Sequence, residues 1–202
     1  MNEKFFDLKK EKQDRMINAA LKVFAMNGYE HASTDEIVKE AGISKGLLFH
    51  YFISKIGLYG FVYDYSVKYM MLELSTAVSK TETDYFEIMK QIWQAQLAVA
   101  TNYPYMIYFL NESKKERVSE ALLATEEKRE VLPHQYNQFM HRVDVTKFRK
   151  EVDTELLSGM VEMTLNGLMA ERFREGGFQP EIFGEEVKKN LDMLKKLAYS
   201  EV

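Results

Sequence analysis

Between Ser33 and Phe52 the chain has room for two short helices joined by a tight turn, and for little else. Ser33-Thr34-Asp35-Glu36 has the form of a capping box, in which a serine hydroxyl accepts from a first-turn amide and a glutamate three residues on reaches back. It opens a helix carrying Ile37, Val38 and Ala41, which Gly42 stops. Only Gly42 and Ile43 stand before Ser44, whose hydroxyl caps a second short helix running to Tyr51 or Phe52. Two such helices around a glycine turn make a helix-turn-helix.

Helical periodicity surrounds this unit. Ile17, Ala20, Leu21 and Phe24 recur at the spacing of one helix face, and Asn27-Gly28 supplies a stop. After Ser54 a longer helix carries Leu58, Phe61, Tyr65, Tyr69 and Leu72 to about residue 79. Further helices are expected over about 84–102, 104–111, 117–142, 153–174 and 181–199. Pro104 suits a first turn, Pro133 should kink or break the long helix around it, and Gly176-Gly177 with Pro180 should part the last two. With three prolines, ten glycines and 46% hydrophobic residues, the chain reads as all-α. The expected organisation is a three-helix helix-turn-helix domain over 1–55 and a larger helical domain over 56–202, about nine helices in all.

Composition removes several functions. The chain has no cysteine, so thiol catalysis and cysteine-rich zinc sites are excluded and a reducing, cytoplasmic home is expected. Met1 to Glu11 lacks the apolar core of a secretory signal, and no apolar run approaches the ~18 residues of a membrane span, so no membrane partner is expected. The net charge of -4 is unequally spread: residues 1–55 carry nine Lys/Arg and eight Asp/Glu, the remainder eighteen and twenty-three. The acid excess therefore lies away from the helix-turn-helix, although a net +1 there is no positive sign of a phosphate-binding surface.

From Phe24 to Tyr59 the sequence FAMNGYEHASTDEIVKEAGISKGLLFHYFISKIGLY resembles the DNA-binding domain of TetR-family regulators: NGY closing the first helix, STDEI opening the second, AGISKG across the turn, FHYF closing the third and SK before the fourth. The similar part covers about a quarter of the chain. On a helical wheel of the third helix, Leu48 and Phe52 face inward, while Gly46, Leu47 and His50 face outward, flanked by Phe49 and Tyr51. A surface of that width fits a major groove. Lys45 and Lys55 are placed to neutralise phosphates, Thr34 to offer its hydroxyl and nearby amides to a phosphate oxygen, and Gly46 to let the backbone approach DNA. The resemblance implies DNA contact at Thr34, Lys45, Gly46, His50, Tyr51 and Lys55. Leu47 and Phe49 depart from the family's usual residues, and facing a groove they would meet thymine methyls. Ile56-Gly57 also departs from it, standing where an acidic pair is usual, and Gly57 with Gly60 should weaken the start of the fourth helix.

From Phe61 to Met169 the chain is rich in aromatic residues and methionine, side chains that suit either plain core or a mostly apolar pocket. The resemblance implies a small-molecule effector held among the fourth to eighth helices, with Tyr65, Tyr69, Trp93, Met106, Phe109 and Asn166 as candidate lining. It also implies a homodimer through the last two helices, and hence a palindromic double-stranded operator. Gly159, Met163, Gly167 and Ala170 on one helix and Val187, Leu191, Leu194 and Ala198 on the next are the candidate surfaces, unless these stripes face the chain's own core.

The expected function is that of a TetR-like regulator, a repressor released from DNA by its effector, with no cofactor and no catalytic residues. Two other readings stay open: an architectural or division factor of the same fold without an inducer, and an all-α enzyme. The latter would use His134 and His141 with Glu130 or Asp144 as a metal site, though no phosphate loop, nucleophile elbow or HExxH motif accompanies them.

Overall fold

The computed structural model describes residues 3–175 and 178–200. Among these, ten α-helices follow in order: α1 (Lys10–His31), α2 (Thr34–Ala41), α3 (Lys45–Phe52), α4 (Lys55–Ala77), α5 (Tyr85–Asn102), α6 (Met106–Ser113), α7 (Ser119–Arg129), α8 (Val131–Met140), α9 (Thr154–Arg174) and α10 (Pro180–Ala198). Short 3-10 turns at Glu3–Asp7 and Val145–Lys147 complete the regular structure, and the described residues include no strand.

Ten helices replace the expected nine because the long helix over 117–142 is two. Glu130 separates them, and Pro133 sits in the first turn of α8, where its missing N–H leaves no hydrogen bond unmade. Pro104 lies ahead of the start of α6 rather than inside it. Gly28 interrupts α1 with φ 68 and ψ 176, so Tyr29 to His31 form a last turn pointing off the main helix. The expected stop at Gly176-Gly177 lies outside the described residues.

The chain divides into two compact units. The first, Met1–Met70 with Asn102–Pro133, is built around α1. Met16, Ala20, Leu21 and Phe24 on α1 are buried with Ile37 of α2 and with Leu48 and Phe52 of α3. Tyr59 meets both Phe24 and Phe109 edge-on. A polar knot ties α1 to α4 within this unit. The hydroxyl of buried Tyr103 donates to Asp14 at 2.6 Å, accepts from Lys10 at 2.8 Å and lies 2.7 Å from the Tyr65 hydroxyl.

The second unit, Met71–Thr101 with His134–Val202, holds most of α5 with α9 and α10. Asp84 caps α5, accepting from the Phe86 and Glu87 amides, and also meets Lys147 at 3.3 Å, Lys195 at 3.2 Å and the Tyr199 hydroxyl at 3.1 Å. Burial would raise its pKa, but the Glu87 amide and the lysines outweigh burial and hold this carboxyl below the usual range.

Candidate functional site

Local hydrogen bonds shape the helix-turn-helix. Ser33 Oγ accepts from the Asp35 amide at 3.2 Å and opens α2. Gly42 closes it in the left-handed conformation (φ 63, ψ 43), and Ile43 N–H reaches back to the Val38 carbonyl at 3.0 Å, the Schellman closure that glycine makes possible. Ser44 Oγ then accepts from the Leu47 amide at 3.2 Å, and α3 begins at once. Ser54 does the same for α4 through the Gly57 amide at 3.1 Å.

Leu48, Tyr51 and Phe52 bury one side of α3. The opposite side presents Gly46, His50 and Ile53 to solvent, with Leu47 and Phe49 half-buried at its margins. Tyr51 corrects the expected outward set. It is only 8% exposed, with its ring edge-on to Phe5 at 5.7 Å, so its ring supports the helix from behind. Thr34 is half-buried at the first turn of α2.

The two cations differ in how they are held. Lys45 pairs with Asp35 at 2.8 Å, both side chains well exposed. Such a pair contributes ~0–1 kcal/mol, so exchanging Asp35 for a phosphate costs little. Lys55 is half-buried; it donates to the Glu30 carbonyl at 3.0 Å and lies 4.6 Å from the Tyr29 ring centre. Burial, with Glu120 and Glu116 beside it, pushes the Tyr29 hydroxyl up to about 12 and keeps it protonated. At Gly46 an added Cβ would meet nothing within 4 Å, so no packing inside the chain calls for glycine there.

Three features escaped sequence reasoning. Ile53 has φ 67 and ψ -46, and Ser54 N–H closes on the Phe52 carbonyl at 2.7 Å, a γ-turn of the strained, positive-φ kind. A β-branched residue held there costs about 1–3 kcal/mol, and Ile53 is 75% exposed. Its one sequence signal is its place seven residues after Gly46, on the same helix face. Gly57, expected only to weaken α4, has a packing reason: a Cβ there would land on the Phe52 carbonyl oxygen, so α4 starts hard against the end of α3. Phe5, of the Phe5-Phe6 pair ahead of α1, had no role in that reading and is fully buried beside α3.

Residues 16–60, which contain this whole arrangement, match the family model for bacterial regulatory proteins of the tetR family. The chain is 51% identical over 49 residues to the uncharacterized HTH-type transcriptional regulator YuxN of Bacillus subtilis strain 168, a stretch covering 24% of this chain and 17% of YuxN. It is 43% identical over 49 residues to the HTH-type transcriptional activator FasR of Mycolicibacterium smegmatis, covering 24% of this chain and 22% of FasR. Beyond that domain the likeness is one of fold. The ketosteroid transcriptional regulator KstR2 of Mycobacterium tuberculosis superposes over 96% of this chain and 97% of its own, with a TM-score of 0.73 at 15% identity. Residues 16–60 thus match the tetR-family regulatory model, and the fold of the whole is one shared with solved transcriptional regulators. The matching proteins are named as transcriptional regulators, not as enzymes.

The six candidate effector residues do not form one set. Tyr65, Tyr69, Met106 and Phe109 belong to the first unit, Trp93 and Asn166 to the second. Met106 and Phe109 are fully buried core, the latter packed on Phe24, Tyr59 and Tyr63. Tyr65 and Tyr69 stack on each other at 6.1 Å and turn their hydroxyls to Tyr103 and Asn102. Asn166 is half-buried on α9. Trp93 alone of the six lines a groove, about 460 Å³, between α5 and α10; Leu97, Pro180 and Val187 give it an apolar floor and Lys90, Lys188, Glu181 and Glu185 a charged rim. Gly184 lets the two helices come close there, since a Cβ would meet Leu97 Cδ1 at 2.8 Å.

The candidate partner surface also needs correction. On α10, Val187, Leu191 and Ala198 are buried and Leu194 is half-buried, so that stripe serves the chain's own core. The solvent side of α10 carries Ile182, Met193 and Leu197 instead. On α9, Met163 (68% exposed) and Gly167 do face solvent, in line with Leu156 and Met160, while Gly159 and Ala170 are half-buried. His134 and His141 are exposed, with His134 against Gln138 at 3.0 Å, and Asp144 accepts from Thr146. No group of three potential metal ligands occurs among the described residues, and no helix there is long and apolar enough to cross a membrane.

Proposed function

We propose that this TetR-family protein is a transcriptional repressor that binds a palindromic operator as a homodimer and leaves it when a small hydrophobic effector binds. The observation that carries the reading is the exposed side of α3. It offers an open backbone at Gly46 and an exposed His50, flanked by Lys45 in an easily exchanged ion pair and by Lys55 at the start of α4. Lys45, Lys55 and the Thr34 end of α2 hold phosphates, while His50, Leu47 and Phe49 meet base edges and thymine methyls.

Dimer formation rests on α9 and α10. Of the twelve exposed large apolar side chains among the described residues, six lie there: Leu156, Met160, Met163, Ile182, Met193 and Leu197. On each helix the three recur on one face by their spacing, and exposed apolar faces of this kind mark an association site. A twofold pair then offers two copies of α3, which must stand ~34 Å apart to enter successive major grooves. The effector acts on that spacing. A compound that fits better when α4 is displaced draws the pair of α3 helices out of register.

The α5–α10 groove is the candidate effector site, and Trp93, the chain's only tryptophan, reports on it. The test pairs gel shifts on DNA upstream of its own gene with Trp93 fluorescence during titration with hydrophobic compounds. A compound that quenches Trp93 should release the DNA. Quenching without release would remove the effector from the account and leave a DNA-binding factor without an inducer, a reading that the solid core at Met106 and Phe109 favours. Transcription from the same promoter with the protein added decides repression against activation.

A further inference from the structure

The recognition helix α3 is eight residues long, too short to hold its own orientation, so its attitude depends on what supports each end. Its first turn is fixed by the Ser44 cap and the Gly42 turn. Its last turn runs directly into Ile53, whose positive φ makes that closure a strained one. The segment ahead of α1 lies against that weaker end. Phe5 has no exposed surface, and its ring centre lies 5.7 Å from Tyr51 and 5.0 Å from Phe52, both in the last turn of α3, and 5.2 Å from Phe61 on α4. A five-residue 3-10 turn is not stable alone. This one is tied down by the buried Gln13, whose side-chain amide donates to the Phe6 carbonyl at 3.1 Å and the Leu8 carbonyl at 2.7 Å.

We infer that Phe5 is a positioning residue for DNA recognition: seated against Tyr51, Phe52 and Phe61, it sets the angle at which the last turn of α3, and with it His50, meets the groove. The inference rests on the reading that α3 enters DNA. Its mark is a loss confined to base readout. Phosphate contacts through flexible lysines tolerate a small tilt of α3, whereas base-edge contacts depend on its placement.

The test compares two duplexes, one selected by the wild-type protein from a random-sequence pool and one of scrambled sequence. Phe5→Ala should lose at least about tenfold in affinity for the selected duplex and less than about twofold for the scrambled one, with an unchanged salt slope. Phe5→Leu, which refills the seat, should recover most of the loss. Amide exchange supplies a readout without DNA: protection at the Ile53 amide, bonded to the Phe49 carbonyl at 2.9 Å, should fall while α1 and α6 keep theirs. Equal losses on both duplexes, unchanged affinity for the selected duplex, or loss of protection throughout the chain would each overturn the inference. A wild-type protein that cannot tell the two duplexes apart would instead bring down the reading of α3 itself, before any variant is made.

Discussion

Helices α3 and α9 both turn a face to solvent, and the two faces differ in kind. α3 shows an accessible backbone at Gly46, an imidazole at His50 and a cation at Lys45. α9 shows Leu156, Met160 and Met163 in line. The first is a surface on which a polyanion replaces water at little cost; the second gains only by meeting another apolar surface. The two can therefore be damaged separately.

The largest effect should come from α9. Met160→Glu with Met163→Glu would place unpaired carboxylates on the proposed dimer face, at a cost of several kcal/mol per interface. Sedimentation should then find a monomer of unchanged thermal stability that no longer shifts operator DNA. If the double variant stays dimeric, α9 is not the interface.

Gly57→Ala should come next. The new methyl collides with the Phe52 carbonyl, a backbone atom that cannot step aside, so a loss of about 1–3 kcal/mol and a Tm lower by several degrees are expected. Gly46→Ala, eleven residues earlier, sharpens the contrast because its two effects have opposite signs. With no neighbour within 4 Å, the substitution should gain up to ~1 kcal/mol of helix propensity while weakening DNA binding. Chemical denaturation and anisotropy titration of one sample measure both; undiminished DNA affinity would show that the backbone at Gly46 does not approach a duplex.

A smaller effect concerns acid. The folded state holds the Asp84 carboxyl below its usual range, so its contribution is complete above the ordinary carboxylate pKa, near ~4, and drains away as pH falls through the lower folded value. Asp84→Asn should flatten the fall in stability between neutral pH and about pH 3, with urea melts as the measure. An acid limb as steep as that of the wild type would mean that other carboxylates govern it.

The same contrast explains what the sequence disclosed. The helix-turn-helix is specified by short-range chemistry: Ser33, Ser44 and Ser54 each cap the helix they precede, and Gly42 takes the left-handed turn. Such bonds span two or three residues and can be read from a string of letters. Burial cannot be read that way, since it depends on what folds back from elsewhere in the chain. Hence the apolar stripe of α10 went to the core instead of a partner, Tyr51 turned inward on a phenylalanine forty-six residues earlier, and Phe109 became core beside Phe24. Ile53 escaped notice because nothing in an isoleucine announces a positive φ.

Everything proposed for DNA binding depends on two copies of α3 facing one duplex, held there by lysines. An anisotropy titration of a selected duplex across a range of salt concentrations tests it most directly. Two chains should bind per duplex, with affinity falling linearly on a log–log plot against salt and a slope reduced by about one for each phosphate contact removed in Lys45→Ala. Binding of a single chain with a slope indifferent to Lys45, or no binding to duplex at low salt, would contradict it.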